Sequence, residues 1–328
     1  MTAKLNKSKV LITGGAGFIG CNLCEELLSQ DNEVFCLDNF ATGKRENIIH
    51  FLDNKNFFLL EGDIRNSETC MKATAGMDYV FHQAALGSVP RSIENPVATN
   101  DTNINGFLNI LISCRDNKVK RLIYASSSSV YGDNTDLPKI EENTGRPLSP
   151  YAVTKQVNEL YAKVFSELYK MEIIGLRYFN VFGKHQDPDG PYAAAVPRFV
   201  KSLLSGTPPA VFGDGNQSRD FTYIDNVVQA NILAATTQNK EAVNKVFNIA
   251  CGEKTSVNNL CEILIKILSK YKPEIKNIKP VHTAERKGDI RDSLASVKKA
   301  HDLLGYTPVF DTRAGLETSI EWYVKNLS

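Results

Sequence analysis

One tryptophan, four methionines and five histidines are all that 328 residues contain of these types, and the formal net charge is only +1. Thirty-eight basic and thirty-seven acidic residues nearly cancel, so the chain has no bulk positive field for nucleic acid or an anionic membrane surface. An anionic ligand must therefore be held by local groups. No apolar run approaches the ~20 residues that a membrane span needs. The apolar run after the lysine-dotted Met1–Lys9 breaks at Gly14 and Gly15, too soon for a signal peptide. Cysteine is sparse and odd in number, seven scattered positions, which fits a reducing cytoplasm better than a disulfide scaffold. Cys21 and Cys24 form a C-x-x-C without a second pair and read as ordinary small helix residues, so no metal is expected.

What is present is a chain 42% hydrophobic and 23% charged, long enough for one large α/β domain or two intimately packed ones. Its first half alternates two periodicities. Short β-branched or aromatic runs at 9–13, 33–38, 57–63, 79–85, 121–127 and 173–179 are separated by stretches with helical spacing, such as 21–29 and 102–117. Apolar strands in alternation with helices predict a parallel, doubly wound sheet with a ligand crevice beyond the strands' carboxyl ends. After Asn180 the pattern loosens into Gly-, Pro- and Asp-rich loops, then a strand near 245–250 and helices near 256–271 and 296–304. We expect a nucleotide-binding Rossmann domain over 1–180, rejoined near 221–251. A smaller mixed α/β substrate domain takes 181–220 and 252–328.

The segment Gly14-Gly15-Ala16-Gly17-Phe18-Ile19-Gly20 follows the first strand and opens the first helix. Glycines at 14, 17 and 20 permit a tight turn, let backbone N–H groups reach a pyrophosphate and allow close helix–strand packing. Asp38 ends the second strand 18 residues beyond Gly20. A carboxylate there accepts from ribose hydroxyls and repels a 2′-phosphate, which favours NAD over NADP.

A second constellation is Tyr151 and Lys155, four residues apart and so on one helical face. Val153, Val157, Leu160, Tyr161, Val164 and Leu168 follow with the spacing of a buried apolar stripe displaced from that face. A tyrosine with a free pKa of about 10 is a poor base at neutral pH, and a nearby ammonium favours its phenolate. A Y-x-x-x-K pair is common by chance. Here the serine run Ser126–Ser129 ends the fifth strand upstream, where hydroxyls reach the ligand crevice.

These residues, with Asp63-Ile64, His82-Gln83-Ala84-Ala85, the Arg177–Gly183 stretch, Arg219–Tyr223 and Arg286–Asp289, resemble the extended short-chain dehydrogenase/reductase family across essentially the whole chain. Ala85–Ser92 and Leu148–Lys155 look like the UDP-N-acetylhexosamine 4-epimerases of the WbpP-like branch. The resemblance implies an NAD-dependent isomerase with Tyr151, Lys155 and Ser127 as its catalytic set. Anchoring on Val130-Tyr131-Gly132 places the catalytic serine at Ser127, with a one-residue ambiguity in the four-serine run. Phe18, Ile19, Asn39, Gly43, Asp63, Ile64, Gln83, Ala84 and Val181 are implied to join the glycines and Asp38 around NAD. Asn180, Arg198, Arg219, Arg286 and Asp289 are implied to hold UDP, with Ala194 and Val211 nearby. Gly87, Ser88 and Ser127 to Ser129 face the sugar. A homodimer through the 153–168 helix is usual for the family.

Related 4,6-dehydratases place an Asp-Glu pair after the catalytic hydroxyl residue. Here Ser128 and Ser129 stand there, so the elimination lacks its acid and base. A non-catalytic NAD-binding scaffold would not need Tyr151, Lys155 and Ser127 together. A uronic-acid substrate stays open. Ser293 stands four residues beyond Asp289, where galactose-restricted relatives carry a bulky tyrosine. It reads either as a plain loop serine or as the residue that leaves room for a C2 N-acetyl group.

Overall fold

The protein is described by a computed structural model covering residues 4–189, 193–284 and 291–327. Six strands, β1 (Lys9–Thr13), β2 (Glu33–Asp38), β3 (Phe57–Glu61), β4 (Tyr79–His82), β5 (Arg121–Ser127) and β6 (Ile173–Tyr178), form one sheet with the strand Val246–Ile249. The spatial order is Val246–Ile249, β6, β5, β4, β1, β2, β3, and every pairing is parallel. Val10, Leu11, Ile12, Val80, Phe81 and Ile123 are fully buried, as strands covered on both faces require. This is the doubly wound sheet that the alternating pattern predicts.

Three strands end earlier than their apolar runs. β3 stops at Glu61, β4 at His82 and β6 at Tyr178. For β4 the ladder sets the end: β1 stops at Thr13, opposite His82, and after Gln83 N–H donates to Thr13 O the chain leaves the sheet. The helix expected over 102–117 begins earlier, at Pro96–Asn100, and passes through a π turn at Asp101–Asn105 before continuing as Gly106–Asp116. Beyond residue 180, apart from Val246–Ile249, the described strands are two or three residues long: Val181–Phe182 pairs with Thr222–Tyr223, and Ser218–Arg219 with Thr255–Ser256.

Helix Pro150–Tyr169 carries the main correction. Ser149 caps it by accepting from the Ala152 N–H at 3.1 Å, and Pro150 occupies the first turn, where no N–H is required. The expected buried stripe faces outward instead: Val153 is 45%, Leu160 60%, Val164 46% and Leu168 67% exposed. The face turned to the sheet carries Ala152, Thr154, Lys155, Asn158, Ala162, Phe165 and Ser166. Small and polar side chains let the helix approach β5 and β6 closely, so periodicity found the stripe but assigned it to the wrong side.

Candidate active site

The glycine turn is shaped by contact. Gly14 takes φ +70°, and a Cβ there would lie 2.7 Å from the Ala84 amide nitrogen. A Cβ at Gly20 would drive into the Gly14 carbonyl oxygen. Asp38 anchors the adjoining loops, with Oδ2 accepting from Ala16 N–H at 2.9 Å and Oδ1 from Phe40 N–H at 2.8 Å. Burial holds its carboxyl above the usual range, and those backbone donors oppose the shift. Around this turn lies a cleft of about 420 Å³ lined by Gly14, Gly17, Phe18, Ile19, Gly20, Asp38, Asn39, Gly43, Ile64, Gln83, Ala84 and Gly87. Asp63 is tied up beside it, accepting from Asn39 Nδ2 at 2.8 Å and from the Arg65 guanidinium, which holds its carboxyl down to about 2. Free backbone in a concave turn, a helix N-terminus and an acid at the second strand fit a dinucleotide.

A second cleft, about 340 Å³, is lined by Ser88, Asn180, Val181, Ala194, Arg198 and Arg219, with Phe199, Phe212 and Gln217. Val181, expected beside the cofactor, stands here. Val211 is fully buried in the core, and its neighbours Ala210 and Phe212 form the wall instead. Ser88 (φ +114°) and Asn180 (φ +33°) hold conformations uncommon for residues with a Cβ, a strain that concentrates at functional sites. Arg198 lies 5.3 Å above the Phe212 ring centroid, and Arg219 Nη1 donates to Ser218 O at 2.8 Å. Ser293 N–H donates to Ser218 O at 3.1 Å, which ties it to the residue before Arg219. Arg286 and Asp289 lie outside the described residues. Gln217 and Phe212 escaped the sequence reading, for no motif marks them.

Gly87 lines the first cleft and Ser88 the second, so the two adjoin along the chain. At the carboxyl end of β5 the reactive candidates come together. Ser127 Oγ accepts from Ser129 N–H at 3.1 Å and lies close enough to the Tyr151 phenol to draw its pKa down. Lys155 is buried, and its Nζ donates to Ala125 O at 2.6 Å. Burial raises the Tyr151 pKa and the Ser127 hydrogen bond opposes it. The lysine was expected to favour the phenolate as a nearby ammonium; its nitrogen is 5.9 Å from the ring centroid and is held by the strand carbonyl. Burial pushes Lys155 itself down to about 8, and Glu159 opposes that. Ser126 turns to Glu159 at 2.5 Å. Ser129 Oγ is buried with no partner among the described residues.

Cys21 and Cys24 are buried on helix Phe18–Ser29, and burial pushes the Cys21 thiol up to about 12, away from thiolate chemistry. All seven cysteines are free. Among the described residues no helix is long and apolar enough to cross a membrane.

Comparison with known proteins identifies the class. Residues 10–250 match the NAD dependent epimerase/dehydratase family. A putative UDP-glucose 4-epimerase of Methanocaldococcus jannaschii is 37% identical over 97% of this chain and 99% of its own. A UDP-N-acetylglucosamine 4-epimerase of Methanobrevibacter ruminantium, solved with UDP-N-acetylmuramic acid, is 38% identical, with a TM-score of 0.90 over 98% and 99% of the two chains. A UDP-glucuronic acid 4-epimerase of Bacillus cereus, solved with UDP-glucuronic acid and NAD, is 34% identical, with a TM-score of 0.87 over 98% and 100%. The chain belongs to the NAD-dependent epimerase/dehydratase family. Within that family it groups with the UDP-sugar 4-epimerases, and its cofactor is NAD.

Proposed function

We propose that this protein interconverts the C4 epimers of UDP-N-acetylhexosamines, UDP-GlcNAc and UDP-GalNAc, through a transient 4-keto sugar, with UDP-Glc and UDP-Gal as slower substrates. The observation that carries the reading is the convergence of Tyr151, Ser127 and Lys155 at the carboxyl end of β5. The preference for an acetamido sugar is supported by the small Ser293 and by similarity to the Methanobrevibacter enzyme. Bound NAD supplies reversible hydride acceptance at C4 and a positive charge that favours the phenolate. Tyr151 holds the C4 hydroxyl proton on its phenolic oxygen. Ser127, accepting from Ser129 N–H, keeps its own hydrogen for the phenol or the sugar oxygen. Lys155 supplies a cation behind them. Arg198, Arg219 and Asn180, with Arg286 and Asp289, hold the UDP, so the keto sugar turns over while staying anchored. Local arginines suit a near-neutral chain that binds a diphosphate.

A uronic-acid sugar is the second reading, favoured by the similarity to the Bacillus cereus UDP-glucuronic acid enzyme. Incubation with UDP-GlcNAc, UDP-Glc and UDP-N-acetylglucosaminuronic acid, with the C4 epimers resolved, decides between them. Fastest turnover of UDP-GlcNAc is the expected result, and turnover of the uronic acid alone would overturn it. The exposed stripe of helix Pro150–Tyr169 further supports a homodimer joined through that face.

A further inference from the structure

Helix Pro150–Tyr169 meets the end of β5 with three side chains, not two. Tyr151, Lys155 and Glu159 stand at i, i+4 and i+8, and each engages a different residue of one strand segment. Tyr151 lies beside Ser127, Lys155 Nζ donates to Ala125 O at 2.6 Å, and Glu159 Oε1 accepts from Ser126 Oγ at 2.5 Å. The Glu159 carboxylate is also gripped by Arg177, whose Nε and Nη2 donate to its two oxygens at 2.9 and 2.8 Å. The Arg177 side chain is 5% exposed and that of Glu159 12%. Arg177 pairs with Ser126 across the parallel ladder, so one strand supplies the serine and the next the guanidinium. Arg177 Nη1 continues to the Tyr131 hydroxyl at 3.0 Å, and Tyr131 closes the turn that begins at Ser128.

We propose that Glu159 is a positioning residue of the catalytic set: it is the counter-charge of Lys155 and it fixes the Ser126–Ser127 strand end against the helix. This rests on the reading of Tyr151, Ser127 and Lys155 as the reactive groups. Side chains at i and i+4 are neighbours on a helix face, so the carboxylate lies one turn from the ammonium. Among the described residues, the other groups facing Lys155 offer no negative charge. Tyr151 is a neutral phenol, and Tyr124 and Ser126 on β5 are neutral. His82 on β4 is held neutral, its ring pushed down to about 3 by burial and by Lys155, and it hydrogen-bonds Thr13 Oγ1 at 2.8 Å. Arg177 on β6 is cationic and paired with Glu159. Burial lowers the Lys155 pKa and, among the described residues, Glu159 is the group that raises it. With that carboxylate neutralised, the lysine loses its proton at lower pH and with it the support for a phenolate.

The test is the pH dependence of kcat and kcat/KM for C4 epimerisation of UDP-GlcNAc by the NAD-loaded enzyme. For Glu159→Gln we expect the alkaline limb to move down by about one pH unit and kcat at neutral pH to fall roughly tenfold, with KM and bound NAD nearly unchanged. Because removing one partner leaves a buried guanidinium unpaired, the double variant Glu159→Gln/Arg177→Gln is measured alongside it; it removes both charges and should show a smaller shift in the same direction. Glu159→Asp, which keeps the charge, should return the limb toward wild type. A folded variant with an unshifted alkaline limb, whether fully active or uniformly slow, would overturn the inference. A wild-type enzyme that interconverts no UDP-sugar C4 epimers would instead sink the functional reading itself.

Discussion

Lys155 Nζ stands 2.6 Å from the Ala125 carbonyl oxygen and 5.9 Å from the centroid of the Tyr151 ring. The lysine is thus fixed to the strand, and the Tyr151 phenol is engaged by Ser127. Removing the phenolic oxygen should therefore cost the proton transfer while sparing the fold. Tyr151→Phe is expected to lower kcat by about 10²–10⁴-fold with little change in UDP-sugar affinity. Steady-state kinetics beside calorimetric binding of UDP-GlcNAc check this, and near wild-type turnover would remove Tyr151 from the mechanism.

Asp38 predicts the cofactor's phosphate state. Denatured protein should release NAD, and epimerisation should need no added reductant, because each turnover regenerates the cofactor. Asp38→Asn keeps one of the two acceptors for the Ala16 and Phe40 N–H groups and removes the charge that repels a 2′-phosphate. The variant should narrow the preference for NAD over NADP, read from the dissociation constants of both. An unchanged ratio would assign the discrimination elsewhere.

Ser293 tests substrate breadth. Replacing a serine by a tyrosine adds a whole phenol ring beside the chain that carries Arg219. Ser293→Tyr should lose UDP-GlcNAc and UDP-GalNAc while retaining some UDP-Glc and UDP-Gal activity, a specificity created by a clash. The ratio of kcat/KM for the two pairs is the readout, and no change in it would leave Ser293 as a loop serine.

Asp220 predicts stability. It is fully buried and accepts from the backbone N–H groups of Cys251 at 2.9 Å, Gly252 at 3.1 Å and Ala295 at 3.1 Å. These donors come from two chain segments far apart in sequence. Asp220→Asn turns one acceptor into a donor facing donors, at a cost of about 1–3 kcal/mol. Thermal unfolding should show a Tm several degrees lower, and a Tm equal to wild type would mean the loops hold without it.

The outward stripe predicts association. Leu160→Glu places a charge at its centre, where it cannot be buried unpaired. Light scattering should report a dimer for the wild type and a monomer for the variant. Equal masses would refute the proposed interface.

The alternation of strands and helices, the glycine turn and the acid at the end of β2 were legible because each follows from local chemistry: continuous apolar runs buried on both faces, a backbone that must lie bare, a carboxylate at a strand end. The burial side of the 153–168 stripe was not legible, since periodicity reports that a helix is two-faced and not which face meets the sheet. Val211 was misplaced for a related reason, for alternation along a strand moves a side chain from cleft to core within one residue. Glu159 gave no local signal at all. Its partners lie on two other strands and emerge only once Ser126 and Arg177 are seen side by side in register.

The four consecutive serines at 126–129 are chemically one letter repeated, yet their neighbours assign them different partners: Glu159 for Ser126, Tyr151 for Ser127, no protein partner among the described residues for Ser129 Oγ. Deleting any one of the four yields the same shortened polypeptide, still with three serines at the end of β5. That single sequence must nevertheless surrender a contact, because a one-residue slip re-aims every following side chain. The run is thus a word whose meaning lies entirely in its alignment, and insertions or deletions there are invisible to composition but not to the enzyme.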